Sequence, residues 1–243
     1  MKDQNIIQVK NLTKKYGDFF AVNEISFHVK KGEIFGFLGA NGAGKTTAMK
    51  MLIGISKPTY GEATVAGFDV FKNPEKIKKN IGYMSQKFAL YDDLTVNENI
   101  IFFGGIYGLK RKIIKHKTKE LLSYLGIEEL GKTLVGSLPL GVKQKLAFSI
   151  ALIHEPKIVF LDEPTGGVDP ITRRQFWEMI YEKAHQGTTI FVTTHYMDEA
   201  EYCDRVSIMV TGKIEALDTP KKLKEIYKVD SMNEVFLKLA RGE

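Results

Sequence analysis

A chain of 243 residues, 44% hydrophobic and 26% charged, has an ordinary globular composition and enough apolar mass for a substantial core. No apolar run approaches the roughly 18 residues a membrane-spanning helix needs. The N-terminal "MKDQNIIQVK" is charged and amide-rich where a secretory leader would be apolar, and one cysteine, Cys203, excludes a disulfide within the chain. The expectation is a cytosolic protein.

The first third reads as strands, "IIQVK", "FAVNEISFHVK", "EIFGFLG" and "GEATVAG", separated by glycine turns. From about Pro74 to Glu155 helical periodicity dominates. The densest part of the +6 net charge lies here, in "KRKIIKHKTK" from Lys110 to Lys119. Ile113, Ile114, Leu121, Leu122 and Leu125 recur at helical spacing through and past it, which leaves the lysines on the opposite, solvated face. Proximity to acidic lipid headgroups is the alternative reading of that face.

Beyond Glu155 strands and helices alternate: "KIVFLDE", a helix through "ITRRQFWEMIYEKAHQG", "TTIFVTTH", a helix through "MDEAEYC", then "RVSIMVTGKIEAL". The runs "IVFL" and "TIFVTT" are apolar without alternation, as central parallel strands buried on both faces are. The pattern is an α/β sheet with a helical insertion. Ser231 and Glu234 form a capping box that opens a short docking helix bearing Val235, Phe236 and Leu239.

"GANGAGKT", Gly39 to Thr46, follows the strand "IFGFL" and opens a helix, the context that confirms a G-x-x-x-x-G-K-[ST] phosphate loop. Its glycines let successive amides point inward, and the helix start adds its positive dipole end. Lys45 is a point charge for the β- and γ-phosphates, and the Thr46 hydroxyl is placed to ligate Mg²⁺. "IVFLDEP" adds two carboxylates at the carboxyl end of an apolar strand, where open α/β sheets bind ligands. Asp162 can hold Mg²⁺ through water, and Glu163 could polarise an attacking water. The pair argues for hydrolysis over simple binding.

These motifs, with Tyr16 in "KKYG", Gln86 in "IGYMSQ", "LPLGVKQ", "FLDEPTGGVDP" and His195 in "VTTH", make the sequence resemble the nucleotide-binding subunit of ATP-binding-cassette (ABC) transporters over essentially its whole length. The resemblance implies one ATP-binding domain over 1–243. It comprises a phosphate-loop core at 1–86 and 156–220 with a mainly parallel sheet and an N-terminal antiparallel β subdomain, an inserted helical subdomain at about 87–155, and a C-terminal docking tail at 221–243. It further implies ATP and Mg²⁺ as cofactors. Tyr16 would stack on adenine and Val22 would wall the base. Gly39, Ala40, Asn41, Gly42, Ala43, Gly44, Lys45, Thr46 and Thr47 would hold the phosphates. Gln86 would reach Mg²⁺ with Thr46 and Asp162, His195 would contact the γ-phosphate beside the catalytic Glu163 and Lys45, and Asp169 would cross to a second subunit. His28, His116, His154 and His185 read as surface or packing residues.

The segment equivalent to Leu138–Val142 usually reads L-S-G-G followed by Q or M in this family, and it meets the ATP of the opposite subunit. Here Pro139 replaces the serine and Leu140 the first glycine, while Gly141 is retained. Proline suits a helix start, because its missing N–H would be an orphan there. Leu140 lacks glycine's freedom, so the loop is expected to be reshaped, with the amides of Leu140, Gly141 and Val142 still free for phosphate. The L-P-L-G variant resembles multidrug and antibiotic-export ATPases. The implied partners are a transmembrane permease, docked near "FALYDDL" (Phe88 to Leu94), and a second copy of the chain or a homologous ATPase. Nucleic acid is not expected as a partner. The implied location is cytoplasmic, peripheral on the inner membrane face through the permease. The rival readings are a soluble ABC-type ATPase acting on ribosomes or nucleic acid, and a phosphate-loop kinase, which would leave "TGGVD" and "LPLGVKQ" idle.

Overall fold

A computed structural model describes residues 5–86 and 90–241. In chain order it runs β1 (Asn5–Tyr16), β2 (Phe19–Lys30), β3 (Ile34–Gly39), α1 (Lys45–Leu52), β4 (Tyr60–Val65), β5 (Phe68–Asp69), α2 (Pro74–Asn80) and β6 (Ile81–Met84). There follow α3 (Val96–Ile106), α4 (Arg111–Leu125), α5 (Leu140–Ala151), β7 (Ile158–Asp162), α6 (Pro170–His185), β8 (Thr189–Thr194), β9 (Arg205–Val210), β10 (Lys213–Asp218), α7 (Pro220–Tyr227) and α8 (Met232–Arg241). The fold is α/β, as expected, with an antiparallel sheet in the order β2-β1-β4-β5 and a six-stranded sheet in the order β10-β9-β3-β8-β7-β6. Among the described residues, only the β9–β10 pair of the second sheet is antiparallel.

Three apolar clusters hold these layers. The first lies between the antiparallel sheet, α1 and one face of the parallel sheet. Its centre is a set of phenylalanine rings, with Phe27 stacked on Phe35 at 5.5 Å and Phe37 5.4 Å from Phe191; each such ring contributes about 2–3 kcal/mol on burial. The second covers the opposite sheet face with α5, α6 and the C-terminal helices. Cys203 packs there: a Cβ on Gly36 of β3 would meet its sulfur at 2.8 Å, so a glycine is needed under it. The third cluster draws on α3, α4 and α5, from Val96 to Ile153.

Two local expectations give way to the structure. "IGYM" within the supposed helical stretch is the edge strand β6, because parallel pairing with β7 recruits it. The expected helix through "MDEAEY" is present as a 3₁₀ helix, Met197–Tyr202. Ile113 faces solvent, whereas Ile114, Leu121 and Leu122 are the residues of α4 that are buried. The expected capping box at Ser231 and Glu234 is present, with the Glu234 carboxylate accepting from Ser231 N and Oγ at 3.1 and 2.9 Å.

Register places the functional residues. Leu38 of β3 pairs with Thr194 of β8, Gly39 with Met209 of β9, and Asp162 of β7 with Thr193 of β8. The carboxyl ends of adjacent parallel strands thus finish level, where ligands of such sheets bind.

Candidate nucleotide site

Gly39 leaves β3 and the chain turns into α1 at Gly44, which sits at φ 105°. A Cβ at Gly44 would lie 2.3 Å from the carbonyl oxygen of Ala21, so both backbone conformation and space require glycine. Lys45 is buried, and its Nζ donates to the carbonyls of Gly39 at 2.8 Å and Ala40 at 3.1 Å. Burial lowers the lysine's pKa, opposed chiefly by the charge of Glu163, whose Oε1 is 3.5 Å away.

The two carboxylates face this loop from the end of β7. The Thr46 hydroxyl lies 3.4 Å from Asp162 Oδ1, and Thr193 Oγ1 donates to the same oxygen at 2.6 Å. Burial, with the Asp162 charge second, pushes the Tyr83 hydroxyl up to about 12. Glu163 occupies the left-handed region at φ 47°, a strained choice for a non-glycine that costs about 1–3 kcal/mol. Its N–H is held there by both the carbonyl and the hydroxyl of Thr193, each at 3.1 Å. The carboxylate is then met from three sides: by Lys45, by Gln86 Nε2 at 2.9 Å, and by His195 Nδ1, which lies 3.0 Å from Oε2 without the alignment of a hydrogen bond.

A cavity of about 350 Å³ opens over the loop, lined by Phe19, Ala21, Asn41, Gly42, Gly44, Lys45, Thr46, Thr47, Gln86 and Glu163. A second, of about 260 Å³, adjoins it along Phe19, Ala21, Asn41 and Gly42 and extends to Ala40 and Ala43. Tyr16 is 54% exposed and pairs directly with Phe19 across the β1–β2 hairpin, so the two rings share a face. Val22, expected to wall the base, is instead sealed in the core, and Phe19 and Ala21 are the β2 residues at the cavity. Alternation along the strand turns Val22 inward.

The second segment expected to meet phosphate lies apart from this cluster. Pro139 caps α5 with φ −57° and ψ 147°, and Leu140, 43% exposed, lies outside the left-handed region, so no reshaping is required of it. The Val142 N–H is not free, because it donates to Pro139 O at 3.0 Å. Gly141 lies against Thr172, whose Cγ2 a Cβ would meet at 2.6 Å. Asp169 spends both carboxylate oxygens on capping α6. Oδ1 accepts from Ile171 N and Thr172 N at 3.0 Å each, and Oδ2 accepts from Thr172 Oγ1 at 2.5 Å. The Thr172 hydroxyl, first among these bonds, holds the Asp169 carboxyl below its usual range. Phe88 and Ala89 of the expected permease surface lie outside the described residues; of the rest, Tyr91 is exposed and packs edge-on against Phe102 at 4.9 Å.

Sequence reasoning missed three supports. Thr193 fixes both Asp162 and Glu163, and its signal was a polar pair ending the apolar run "TIFV". Gln144, buried on α5, donates from Nε2 to Pro164 O beside Glu163. Phe19 had no signal beyond its place at the hairpin.

A strand-to-helix phosphate loop facing an aspartate-glutamate strand end defines a phosphate-loop nucleotide-binding protein. Residues 22–166 match the family described as ABC transporter, and the chain belongs to that family. It is 49% identical over 221 residues to the "Probable multidrug ABC transporter ATP-binding protein YbhF" of Escherichia coli, covering 91% of this chain and 38% of that relative. The chain therefore spans well under half the length of that protein. With the "Linearmycin resistance ATP-binding protein LnrL" of Bacillus subtilis it shares 39% identity over 90% of this chain and 70% of that one. Among solved structures, a dimeric bacterial ABC transporter cassette, MJ0796, superposes with a TM-score of 0.79 at 25% identity, covering 88% of this chain and 98% of that one.

Proposed function

We propose that the chain is an ATP-hydrolysing subunit that closes with a second cassette around two nucleotides and drives a separate membrane permease. The observation that carries this reading is the convergence of Lys45, Gln86 and His195 on Glu163 beside the phosphate loop. In this reading the loop amides and Lys45 bind the phosphates, the Tyr16 and Phe19 rings offer a platform for adenine, and Glu163 takes a proton from the attacking water. His195 and Gln86 hold the Glu163 carboxylate in place and meet the γ-phosphate side.

The donor set fits Mg²⁺. Thr46 Oγ1 and an Asp162 carboxylate oxygen are neighbouring hard oxygens, and magnesium is held by one or two carboxylates plus substrate phosphates rather than by a full protein cage. Thr46, Asp162 and the Gln86 carbonyl would hold it, and when bound it supplies neutralisation of phosphate charge.

Leu140 and Gly141 at the start of α5, with the Asp169 loop beside them, are assigned to the ATP of the second cassette, either a second copy or a homologue. The solved dimeric relative supports that assembly, and the drug-transport and resistance names of the two sequence relatives support export. Among the described residues no helix is long and apolar enough to cross a membrane. In this reading a permease of another chain supplies the spans and seats this one at the inner membrane face, through the helical segment at about 87–155.

Glu163→Gln, examined with saturating ATP by size-exclusion chromatography and steady-state ATPase assay, tests the reading. A dimer that forms with ATP and does not turn over is expected. Wild-type turnover in the variant would overturn the assignment of Glu163, and a protein that binds no ATP would overturn the reading whole.

A further inference from the structure

His195 does not stand alone at the end of β8. Its ring lies 4.2 Å from that of Tyr196, tilted by 36°. Tyr196 also carries the guanidinium of Arg173, 4.4 Å from its ring centroid, a cation–π contact. Arg173 belongs to the first turn of α6, its N–H bonded to Asp169 O at 2.9 Å. Its Nη1 reaches Asp198 Oδ2 at 3.5 Å and its Nε lies 3.7 Å from Glu199 Oε1.

Glu199 is the only carboxylate among the described residues with no exposure at all. It accepts hydrogen bonds from Thr194 Oγ1 at 2.6 Å, from Thr165 Oγ1, and from Trp177 Nε1 at 3.4 Å. Thr194 immediately precedes His195, and Thr165 follows Glu163 by two residues. One buried anion therefore ties together the loop that carries Glu163, the loop that carries His195, and α6. A buried charge persists only when paired and hydrogen-bonded, and Arg173 supplies the opposite charge.

We propose that Arg173 and Glu199 act as a pair of positioning residues that set the His195 ring against the Glu163 carboxylate. The proposal rests on the hydrolytic reading of Glu163. Glu199 fixes the backbone on either side of the contact, and Arg173 presses Tyr196 onto the His195 ring. Without Arg173, Tyr196 loses the cation on its face and Glu199 becomes an unpaired buried charge, so His195 is freed from its place. Since neither residue lines the phosphate cavity, nucleotide affinity is not set by them.

The test uses the full chain in three variants, Arg173→Met, Arg173→Lys and the double Arg173→Met/Glu199→Gln. ATPase kcat and KM, thermal melting and the His195 ring-proton resonance are measured for each. A displacement of about 1 Å can cost about 100-fold in rate. Arg173→Met is accordingly expected to lower kcat at least about tenfold, with KM for ATP within about twofold and the His195 signal moved. Arg173→Lys keeps the charge but loses the planar stacking group, so it should fall between wild type and the methionine variant. The double variant removes both charges and should be no slower than the single one, because the two residues act as a unit. Wild-type kcat and an unmoved His195 signal in Arg173→Met would overturn the positioning role alone. A KM rise matching the loss of kcat, or a double variant slower than Arg173→Met, would also overturn it. An inactive wild-type chain would overturn the hydrolytic reading, and an unmoved His195 signal would still decide against the pair. Should Arg173→Met fail to fold, the lysine and double variants carry the same readouts.

Discussion

Two helix starts in this molecule are assigned to phosphate on the proposed reading, and they are built in opposite ways. At the start of α1 the loop is closed by its own chain: Lys45 is buried, and Glu163, Gln86, His195 and Asp162 surround the turn. At the start of α5 an apolar side chain, Leu140, stands exposed beside Pro139, which offers neither a hydroxyl nor an N–H. The first start makes most of a site; the second offers only backbone and a helix dipole. On the proposed reading, the difference is that between the half of a composite site a chain completes itself and the half it lends to a partner. Only the first needs strained and charged groups.

The sharpest way to break this contrast is at Glu163. A general base contributes about 10²–10⁴-fold, so Glu163→Gln should reduce steady-state ATPase by about 10³-fold while an ATP-binding assay stays near wild type. Gly44→Ala strikes the self-completed half through its backbone, since the added Cβ would sit 2.3 Å from Ala21 O at φ 105°. Strain and overpacking together should cost about 2–4 kcal/mol in a denaturant titration and abolish nucleotide retention.

The lent half should respond more gently. Pro139→Ser with Leu140→Gly restores a capping hydroxyl worth about 1 kcal/mol, and a several-fold rise in ATPase is expected. An unchanged rate would show that backbone amides alone serve there. The smallest effect lies outside both halves, at His154, which stacks on Tyr107 at 3.7 Å with Nε2 3.1 Å from Ile81 O. Burial, opposed by the Ile81 carbonyl, lowers its pKa from 6.5. A histidine so depressed supports the fold fully above about pH 6.5, and that support is lost as pH falls toward the folded value. His154→Gln should flatten the stability profile below about pH 6.5, measured by urea titration at several pH values.

The phosphate loop and the acidic strand end were legible because each is a contiguous run whose spacing carries its chemistry. The capping box at Ser231 was legible for the same reason. Strand β6 was not, since four residues of "IGYM" carry no periodicity and owe their state to pairing with β7. The inward turn of Val22 was likewise hidden, because it depends on where neighbouring backbone passes. The Asp169 cap and the bond from Val142 N to Pro139 O are instead local features of helix starts at Asp and Pro.

By itself, then, the sequence determined an α/β protein with a triphosphate loop, an adjoining carboxylate pair and a helical insertion, through patterns read within a dozen residues. Only tertiary structure decided that Glu163, His195, Gln86 and Lys45 meet, that Thr193 bonds Glu163 and Asp162, and that Glu199 bonds Thr165 and Thr194 beside Glu163 and His195. The physical reason is the parallel register, in which β3, β7 and β8 end level and bring together residues more than a hundred positions apart. No local pattern encodes that register, because it arises from burying the apolar strands against two separate layers.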